Sequence, residues 1–244
     1  NMKKRKYKIY SGDNIISKNS QWKFSGKTAK NFDKHISKSI PLYQWTHEVA
    51  LKTSDFFLTE KGNSYDLGCS TGTFLSKLAR RNDNYKKIKF IGVDEIKDMC
   101  KIAKKRNSKN KNVKIINNDI HSLKLKNSAL ITSFYTIQFI HPSRRQAIFN
   151  KIYKTLNWGG AFILFEKVRA PDARFQDMIS QIYQDYKIDN GYSPNEIISK
   201  SRSLKGVMEP FSSKANLELL KRAGFKDIVC IMKYLCFEGW LAVK

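Results

Sequence analysis

The stretch Asp66-Leu67-Gly68-Cys69-Ser70-Thr71-Gly72 constrains the fold more than any other part of this 244-residue chain. Residues 64–68 form a short apolar run that predicts a strand, and apolar residues at helical spacing begin at Thr73. Gly68 lets the backbone approach a ligand where a Cβ would collide, and Gly72 permits close packing at the helix start. The stretch therefore predicts a ligand-binding turn between a strand and a helix.

The residues of this turn favour a cationic ligand over a phosphate. A dinucleotide-binding turn prefers Gly-x-Gly-x-x-Gly, but Ser70 occupies the second glycine position, and the Gly-Lys-Ser/Thr of a phosphate-binding loop is absent. Asp66, just before the turn, suits a cation. S-adenosylmethionine (SAM) carries an amino group and a sulfonium, and a carboxylate stabilises both. A generic strand-to-helix turn is the alternative interpretation of the turn taken alone.

Two later acidic residues favour the SAM interpretation. Asp94 follows a predicted strand at residues 89–93, where its carboxylate can accept both hydroxyls of a ribose. Asp119 follows a strand at residues 113–117, where Asp119 or the Ile120 amide can meet an adenine edge. Three strand-end acids in order, together with a glycine turn, predict a SAM site.

Strands and helices alternate beyond residue 64, which predicts a mainly parallel sheet covered by helices on both faces. We expect an α/β, Rossmann-like class I methyltransferase fold with a C-terminal antiparallel hairpin and an inserted helical lid at residues 172–205. Residues 1–30 are expected to form a basic arm and residues 31–244 the SAM-binding domain. Asn157-Trp158-Gly159-Gly160 is interpreted as a helix stop and turn. The seven predicted strands are residues 64–68, 89–93, 113–117, 128–134, 161–166, 227–233 and 235–243.

The chain is strongly basic, with 46 Lys and Arg against 21 Asp and Glu, a formal net charge of +25. An RNA partner such as tRNA would explain this charge, since neutralised phosphates release counterions. Compositional drift of an AT-rich genome, which enriches Lys, Asn and Ile together, is the alternative. No apolar run reaches the roughly 20 residues needed to span a bilayer, so we expect a cytoplasmic protein without membrane contact. The four cysteines show no metal-ligand spacing.

The sequence resembles the carboxy-S-adenosylmethionine synthase family, bacterial enzymes of wobble-uridine modification in tRNA. The inserted Asn-Gly-Tyr-Ser segment, the Gln-Phe pair and the Asn-x-Gly-Gly-Ala stretch are its most specific signals. The stretches that carry the resemblance are residues 65–70, Gln138-Phe139, Pro142-Ser143-x-Arg145-Gln146-Ala147, Lys151-Ile152-Tyr153, Leu156-Asn157-x-Gly159-Gly160-Ala161, Glu166-Lys167, Asn190-Gly191-Tyr192-Ser193, Val207-Met208 and Ala223-Gly224-Phe225.

This resemblance implies an activity and a set of binding residues. The family converts SAM and prephenate into carboxylated SAM and releases phenylpyruvate. A homodimer with the inserted helices at its interface is also implied. By position, Tyr43 would contact the methionine part of the ligand. The other implied contacts are Gly68, Cys69 and Ser70 in the turn, Asp94 and Glu95 at the ribose, and Asp119 and Ile120 at the adenine.

The sequence departs from the family pattern at two positions. Phe134 occupies the place of a family asparagine, also a cofactor-binding position. The family arginine that holds the added carboxylate falls on Ser201, and Arg202 follows one residue later. We take Arg202 as the candidate for that contact and Tyr192 as a candidate for the substrate pocket. Glu166-Lys167, at the end of the fifth strand, is expected to face the cleft.

These departures leave a second hypothesis open. A relative that transfers a methyl group from unmodified SAM to a small molecule or RNA would need no contact to an added carboxylate. A binding-only protein on the same fold is a third hypothesis.

Overall fold

The computed structural model describes residues 10–13, 15 and 18–244. Two helices, α1 (Lys27–Ser39) and α2 (Tyr43–Ser54), precede the first strand. The further elements are β1 (Lys61–Leu67), α3 (Thr73–Arg81), β2 (Lys87–Asp94), α4 (Lys97–Arg106), β3 (Val113–Asn117), β4 (Ser128–Phe134), a 3-10 turn (Ile137–Phe139), α5 (Pro142–Thr155), β5 (Leu156–Lys167), α6 (Ala173–Asp189), α7 (Pro194–Leu204), α8 (Ser213–Ala223), β6 (Asp227–Tyr234) and β7 (Phe237–Val243).

Among the described residues, seven strands form one sheet in the order β3-β2-β1-β4-β5-β7-β6. Strands β1 to β5 are parallel, and β7 runs antiparallel between β5 and β6. The predicted fold class is therefore confirmed, including the C-terminal hairpin and the two inserted helices. Because the strand order reverses between β1 and β4, a crevice opens there at the carboxyl ends of the strands.

Strand β5 shows how the sheet buries both of its faces. Phe162 and Leu164 join the core cluster that contains residues of α5 and α8. Ile163 and Phe165, which alternate with them, join the cluster on the opposite face with residues of α2 and α3. All four side chains are fully buried. Burial of each such side chain contributes about 1.5–3 kcal/mol, so this strand is a main source of stability.

The predicted turn at residues 157–160 is wrong, because β5 already begins at Leu156 and includes these residues. The pairing of β4 with β5 shifts register between Ser128 and Leu130, which accommodates the extra residues. The amide of Gly159 donates to the carbonyl of Lys244, and the Lys244 amide donates to the carbonyl of Gly160. Pairing with the chain's last residue thus keeps a glycine-rich stretch extended.

The N-terminal segment packs on the domain where it is described. Helix α1 begins at Lys27, so the predicted arm boundary after residue 30 falls inside a helix. Trp22 is buried, and its amide donates to the carbonyl of Ser203 at 3.1 Å. Ser20 donates in the same way to the carbonyl of Arg202 at 2.9 Å. Residues 1–9, 14, 16 and 17 of the predicted arm lie outside the described residues.

Helices α6 and α7 form the predicted lid, between β5 and α8. Asp172 caps α6 by accepting from the Phe175 amide at 3.0 Å. Ser193 and Glu196 form a reciprocal capping box at the start of α7, as the turn sequence before Pro194 predicts. No helix in the described part of the chain is long and apolar enough to cross a membrane.

Arg145 fastens the turn after β4 to helix α5. Its side chain is 1% exposed, and its guanidinium donates to the carbonyls of Ile140 at 2.8 Å and Gln138 at 3.2 Å. The guanidinium also lies over the ring of Phe211, 4.2 Å from the centroid. Burial lowers the pKa of Arg145. This side chain therefore sets the path of the chain at the edge of the crevice.

We expect Arg145→Met to lower the free energy of unfolding by about 2–4 kcal/mol, because it removes two charged hydrogen bonds and leaves the carbonyl of Ile140 without its side-chain donor. Urea denaturation would measure the change. Arg144→Met is the matched control, since Arg144 is exposed on the same helix. Equal losses in the two variants would show that Arg145 does not anchor this turn.

Candidate cofactor and substrate site

A cavity of about 840 Å³ opens at the carboxyl ends of the parallel strands. The sheet forms its floor, and residues of α1, α6 and α7 form its walls. Its volume lies in the range of small-molecule pockets. Its charged residues divide it into an acidic end over β1, β2 and β3 and a basic end under the lid.

The glycine turn at the acidic end needs its first glycine for two reasons. Gly68 has a φ of 77°, in the region that favours glycine. A Cβ added to Gly68 would overlap the side chain of Thr136, which follows β4. The backbone of the turn therefore lies directly under the tip of β4 and leaves space above it for a ligand.

Asp66 lies beneath this turn and is 2% exposed. Its Oδ1 accepts a hydrogen bond from the Thr132 hydroxyl at 2.9 Å. Burial raises the pKa of Asp66 to about 7, and the charge of Asp94 raises it further. A cation bound above it favours the ionised carboxylate and lowers this pKa again. The carboxylate thus favours a positively charged ligand group.

Asp94 ties the end of β2 to the glycine turn. Its Oδ2 accepts from the Ser70 amide and its Oδ1 from the Ile96 amide, both at 2.8 Å. Burial raises the pKa of Asp94, and these two hydrogen bonds oppose that rise. The neighbouring carboxylate of Glu95 is exposed and also lines the cavity. Asp94 therefore shapes the turn, and Glu95 is the freer of the two predicted ribose ligands.

Asp119 and Ile120 lie where the loop after β3 meets the cavity. The Asp119 Oδ1 accepts from the His121 amide at 3.0 Å, which fixes the carboxylate against its own backbone. Ile120 is 7% exposed, and the Lys151 ammonium donates to its carbonyl at 3.0 Å. An apolar side chain beside a fixed carboxylate suits a flat heterocycle with polar edges.

Aromatic rings line the floor between the two ends. The rings of Tyr43 and Phe134 lie 4.7 and 5.0 Å from the ring of His47, measured between centroids. Phe134 also stacks on Phe165 at 5.3 Å. Burial lowers the pKa of His47 to about 3, so its ring is neutral, and no described residue hydrogen-bonds its Nδ1. Phe134 thus gives this floor an apolar surface.

The basic end is built from three elements that bring lysines together. Lys167 ends β5, Lys187 is on α6 and Lys200 is on α7. The ammonium groups of Lys167 and Lys187 lie 4.5 and 4.4 Å from the ring centroid of Tyr183. Arg169 and Arg202 line the same end and are exposed.

These three amines repel one another in a poorly solvated place. Burial lowers the pKa of Lys200 to about 7, and the charges of Lys187 and Lys167 lower it further. Burial and the charge of Lys167 lower the pKa of Lys187 to about 8. In the described part of the chain, no carboxylate forms an ion pair with any of the three. The basic end therefore favours an anion.

The structure brings together all ten residues predicted for the cofactor. Arg202 and Ser201 line the same cavity, at its basic end. Tyr192 does not line it, and its hydroxyl lies 3.1 Å from both Ser39 Oγ and His35 Nδ1. The cavity residues predicted for the cofactor are Tyr43, Asp66, Gly68, Cys69, Ser70, Asp94, Glu95, Asp119, Ile120 and Phe134.

The prediction that both Glu166 and Lys167 face the cleft is wrong for Glu166. The Lys167 side chain lines the cavity, but Glu166 is buried beside it and faces the protein. Its carboxylate accepts from the amides of Ile137 and Gln138 at 3.0 and 2.9 Å. Burial raises the pKa of Glu166 to about 8, and the hydrogen bond from Ile137 opposes that rise. Glu166 therefore holds the turn after β4.

Sequence analysis missed Lys187, Lys200 and His35 as cavity residues. Lys187 and Lys200 flank the Asn-Gly-Tyr-Ser turn of the lid, and their position next to that motif was the available signal. His35 is 4% exposed on α1, a helix with no motif of its own. The sequence offers no signal for its place in the site.

Comparisons with known proteins agree with this geometry. Residues 65–160 match the family model described as a methyltransferase domain. The carboxy-S-adenosyl-L-methionine synthase of Staphylococcus epidermidis is 40% identical, over 92% of this chain and 97% of that protein. The synthase of Nautilia profundicola is 34% identical, over 95% and 99%.

Solved structures share the fold at low identity. A SAM-dependent methyltransferase from Aquifex aeolicus superposes with a TM-score of 0.58 at 15% identity, over 88% of this chain and 97% of that one. Human N-acetylserotonin methyltransferase in complex with SAM superposes with a TM-score of 0.59 at 17% identity, over 89% of this chain and 55% of that one. On its sequence and its fold, this chain is a SAM-dependent transferase that belongs to the carboxy-S-adenosyl-L-methionine synthase family.

Proposed function

We propose that this enzyme transfers the carboxyl group of prephenate to the methyl carbon of SAM, forming carboxy-SAM and phenylpyruvate. One observation carries the proposal: a single cavity has carboxylates at one end and, at the other, ammonium groups that no carboxylate of the described residues neutralises. A methyltransferase that acts on a neutral acceptor does not need the ammonium groups. A SAM cation pairs with the carboxylates, and a dianionic carboxyl donor pairs with the ammonium groups.

The acidic end fits SAM. Gly68 and the rest of the turn line the part of the cavity that accommodates the amino-acid part of the ligand beside Tyr43. Asp66 stabilises its positive charge. Glu95, with the remaining lone pairs of Asp94, accepts from the ribose hydroxyls. Asp119 and Ile120 hold the adenine.

The basic end fits the carboxyl donor. Prephenate carries two carboxylates on a compact ring, and the lysines of β5, α6 and α7 supply charges of the opposite sign. Arg202 adds a planar guanidinium at this end, suited to a bidentate contact with a carboxylate. The apolar floor at Phe134 excludes water from the space between the two ligands. This arrangement orients donor and acceptor for a direct transfer.

The reaction balances without an added oxidant or reductant. The ring carboxyl group of prephenate leaves as CO2, its ring hydroxyl leaves as water with one proton of the SAM methyl group, and the methyl carbon bonds the CO2. Phenylpyruvate remains. Both SAM and prephenate are therefore consumed as substrates.

We place the product in tRNA wobble-uridine modification in the cytoplasm, as the family resemblance implies. The basic stretch 101–114, with seven Lys and Arg and no acid, supports an RNA contact by this chain. An RNA contact would weaken steeply with salt in a filter-binding titration. Failure of the chain to retain tRNA at low salt would contradict the RNA contact without bearing on the synthase activity.

The purified enzyme, incubated with SAM and prephenate, is expected to form a product heavier than SAM by the mass of CO2, together with phenylpyruvate. Mass spectrometry of the denatured mixture measures both. A mixture without prephenate is the control. Formation of S-adenosylhomocysteine with an RNA or small-molecule acceptor, and no carboxylated product, would support a conventional methyltransferase instead.

Asp94→Ala is expected to weaken SAM binding about tenfold or more, because it removes a ribose acceptor and releases the Ser70 amide. Isothermal titration calorimetry gives the dissociation constant. Asp83→Ala is the matched control, since Asp83 is exposed and does not line the cavity. An unchanged affinity in Asp94→Ala would place the ribose elsewhere.

We propose a homodimer that covers helix α6. This 17-residue helix has no buried residue, and its side chains Phe175, Met178 and Ile182 are 41%, 51% and 54% exposed. Their spacing places them on one face of the helix. An apolar stripe of this kind is typical of a protein–protein interface.

Met178→Asp is expected to convert the dimer to a monomer, because it places a charge in the apolar stripe. Light scattering after size exclusion measures the mass. Asp177→Asn on the same helix is the control. A wild-type protein that elutes as a monomer would contradict the homodimer.

A further inference from the structure

A chain of polar contacts connects the N-terminal segment to the basic end of the cavity. The Oδ2 of Asp13 lies 3.1 Å from Nδ1 of His35, and Nε2 of His35 lies 2.7 Å from the ammonium of Lys200. His35 is 4% exposed, and its ring stacks on Trp22 at 5.6 Å. Both His35 and Lys200 line the cavity.

The partners of His35 determine where its proton sits. When Lys200 is charged, its ammonium group can only donate, and Nε2 of His35 is then the acceptor. The proton of the neutral ring is then on Nδ1 and is donated to the Asp13 carboxylate. Burial lowers the pKa of His35 to about 3, which keeps the ring neutral. The Asp13–His35 pair therefore presents one fixed acceptor to Lys200.

Lys200 has a donor left for a ligand. Its ammonium donates to Nε2 of His35 and, at 2.8 Å, to Oγ of Ser39. An ammonium group has three donors, and the third has no acceptor among the described residues. The ring of Trp22 lies 5.4 Å away on one side. The remaining N–H is available to the cavity that Lys200 lines.

The N-terminal segment also fixes the end of the helix that carries Lys200. The amides of Ser20 and Trp22 donate to the carbonyls of Arg202 and Ser203, at the last turn of α7. These two bonds hold the last turn of α7, and the Asp13–His35 pair contacts Lys200 on the same helix. A segment expected to be a basic arm thus supplies an aromatic ring, Trp22, to the wall of the site and an acid, Asp13, that contacts His35 behind it.

We propose that Lys200 binds a carboxylate of the anionic carboxyl donor, and that Asp13 and His35 are positioning residues that aim its ammonium into the cavity. The inference rests on the proposed function, since it assigns the donor's contact within that site. Among the described residues, Asp13 favours the charged form of Lys200 from beyond His35, but no carboxylate pairs with Lys200 directly, so the substrate supplies that ion pair.

Lys200→Met is expected to raise KM for prephenate about tenfold to a hundredfold, because it removes one charged hydrogen bond to the donor. His35→Phe keeps a ring against Trp22 but removes the acceptor, and a smaller rise in KM is expected. The dissociation constant for SAM should remain that of the wild type in both variants. Steady-state kinetics and calorimetry measure the two quantities, and Lys200→Gln replaces Lys200→Met if the latter does not fold.

Lys34→Met is the matched control, because Lys34 also lies near Asp13, at 3.6 Å, but is 69% exposed. Unchanged KM in the folded Lys200 variants of an active enzyme would overturn the assignment of Lys200. Equal weakening of SAM and prephenate binding would also overturn it, since that result indicates a structural role. A wild-type enzyme that forms no carboxylated product contradicts the proposed function itself, which separates the two failures.

Discussion

The close approach of the glycine turn to the tip of β4 fixes the geometry of the whole site. Gly68 lies against Thr136 with no room for a side chain, so the ends of β1 and β4 are held at van der Waals contact. Asp94 then ties the end of β2 to the same turn through the Ser70 amide. Three strand tips are thereby locked together. This contact, together with the pairing of β1 with β2 and β4, places Asp66 and Asp94 at the same edge of the sheet.

The second organising feature is the separation of charge within one cavity. Carboxylates come from the sheet and the loops that follow it, whereas the lysines come from the end of β5 and from the lid. Burial raises the pKa values of the acids Asp66 and Asp94 and lowers those of Lys187 and Lys200. The charged forms of these side chains are therefore less stable in the cavity than they would be in water. A ligand of opposite charge at each end reverses that penalty.

Sequence analysis could predict what local sequence determines. The strand-turn-helix at Gly68 and the capped start of α7 at Ser193 follow from short-range rules of backbone geometry and capping. The extended path of residues 157–160 does not, because it depends on pairing with Lys244 at the far end of the chain. Tyr192 was assigned to the pocket from its motif, yet its hydroxyl is engaged with His35 and Ser39 behind the wall.

The lysines of the basic end also depend on contacts between segments that are distant in the sequence. Apart from their position beside the Asn-Gly-Tyr-Ser motif, nothing in the local sequence distinguishes Lys187 or Lys200 from the other basic residues of a chain with 46 of them. They become a group only when α6 and α7 dock over the end of β5. The contact between Asp13 and His35 is harder still to predict, since 22 positions separate the two residues and the N-terminal segment must lie against α1.

The two ends of the cavity are built from different parts of the fold. The acidic end is built on the carboxyl ends of β1, β2 and β3 and on the turns that follow them. The donor end needs Lys167 of the sheet, Lys187 and Lys200 of the lid, and the N-terminal segment that holds α7. Docking of the lid therefore assembles the anion site, while the sheet alone suffices for the acidic end. Mutual repulsion of the three ammonium groups opposes that docking, and a bound dianion removes the repulsion. The proposed carboxyl donor would therefore stabilise the arrangement that encloses it, and with both ligands bound the cavity would exclude water.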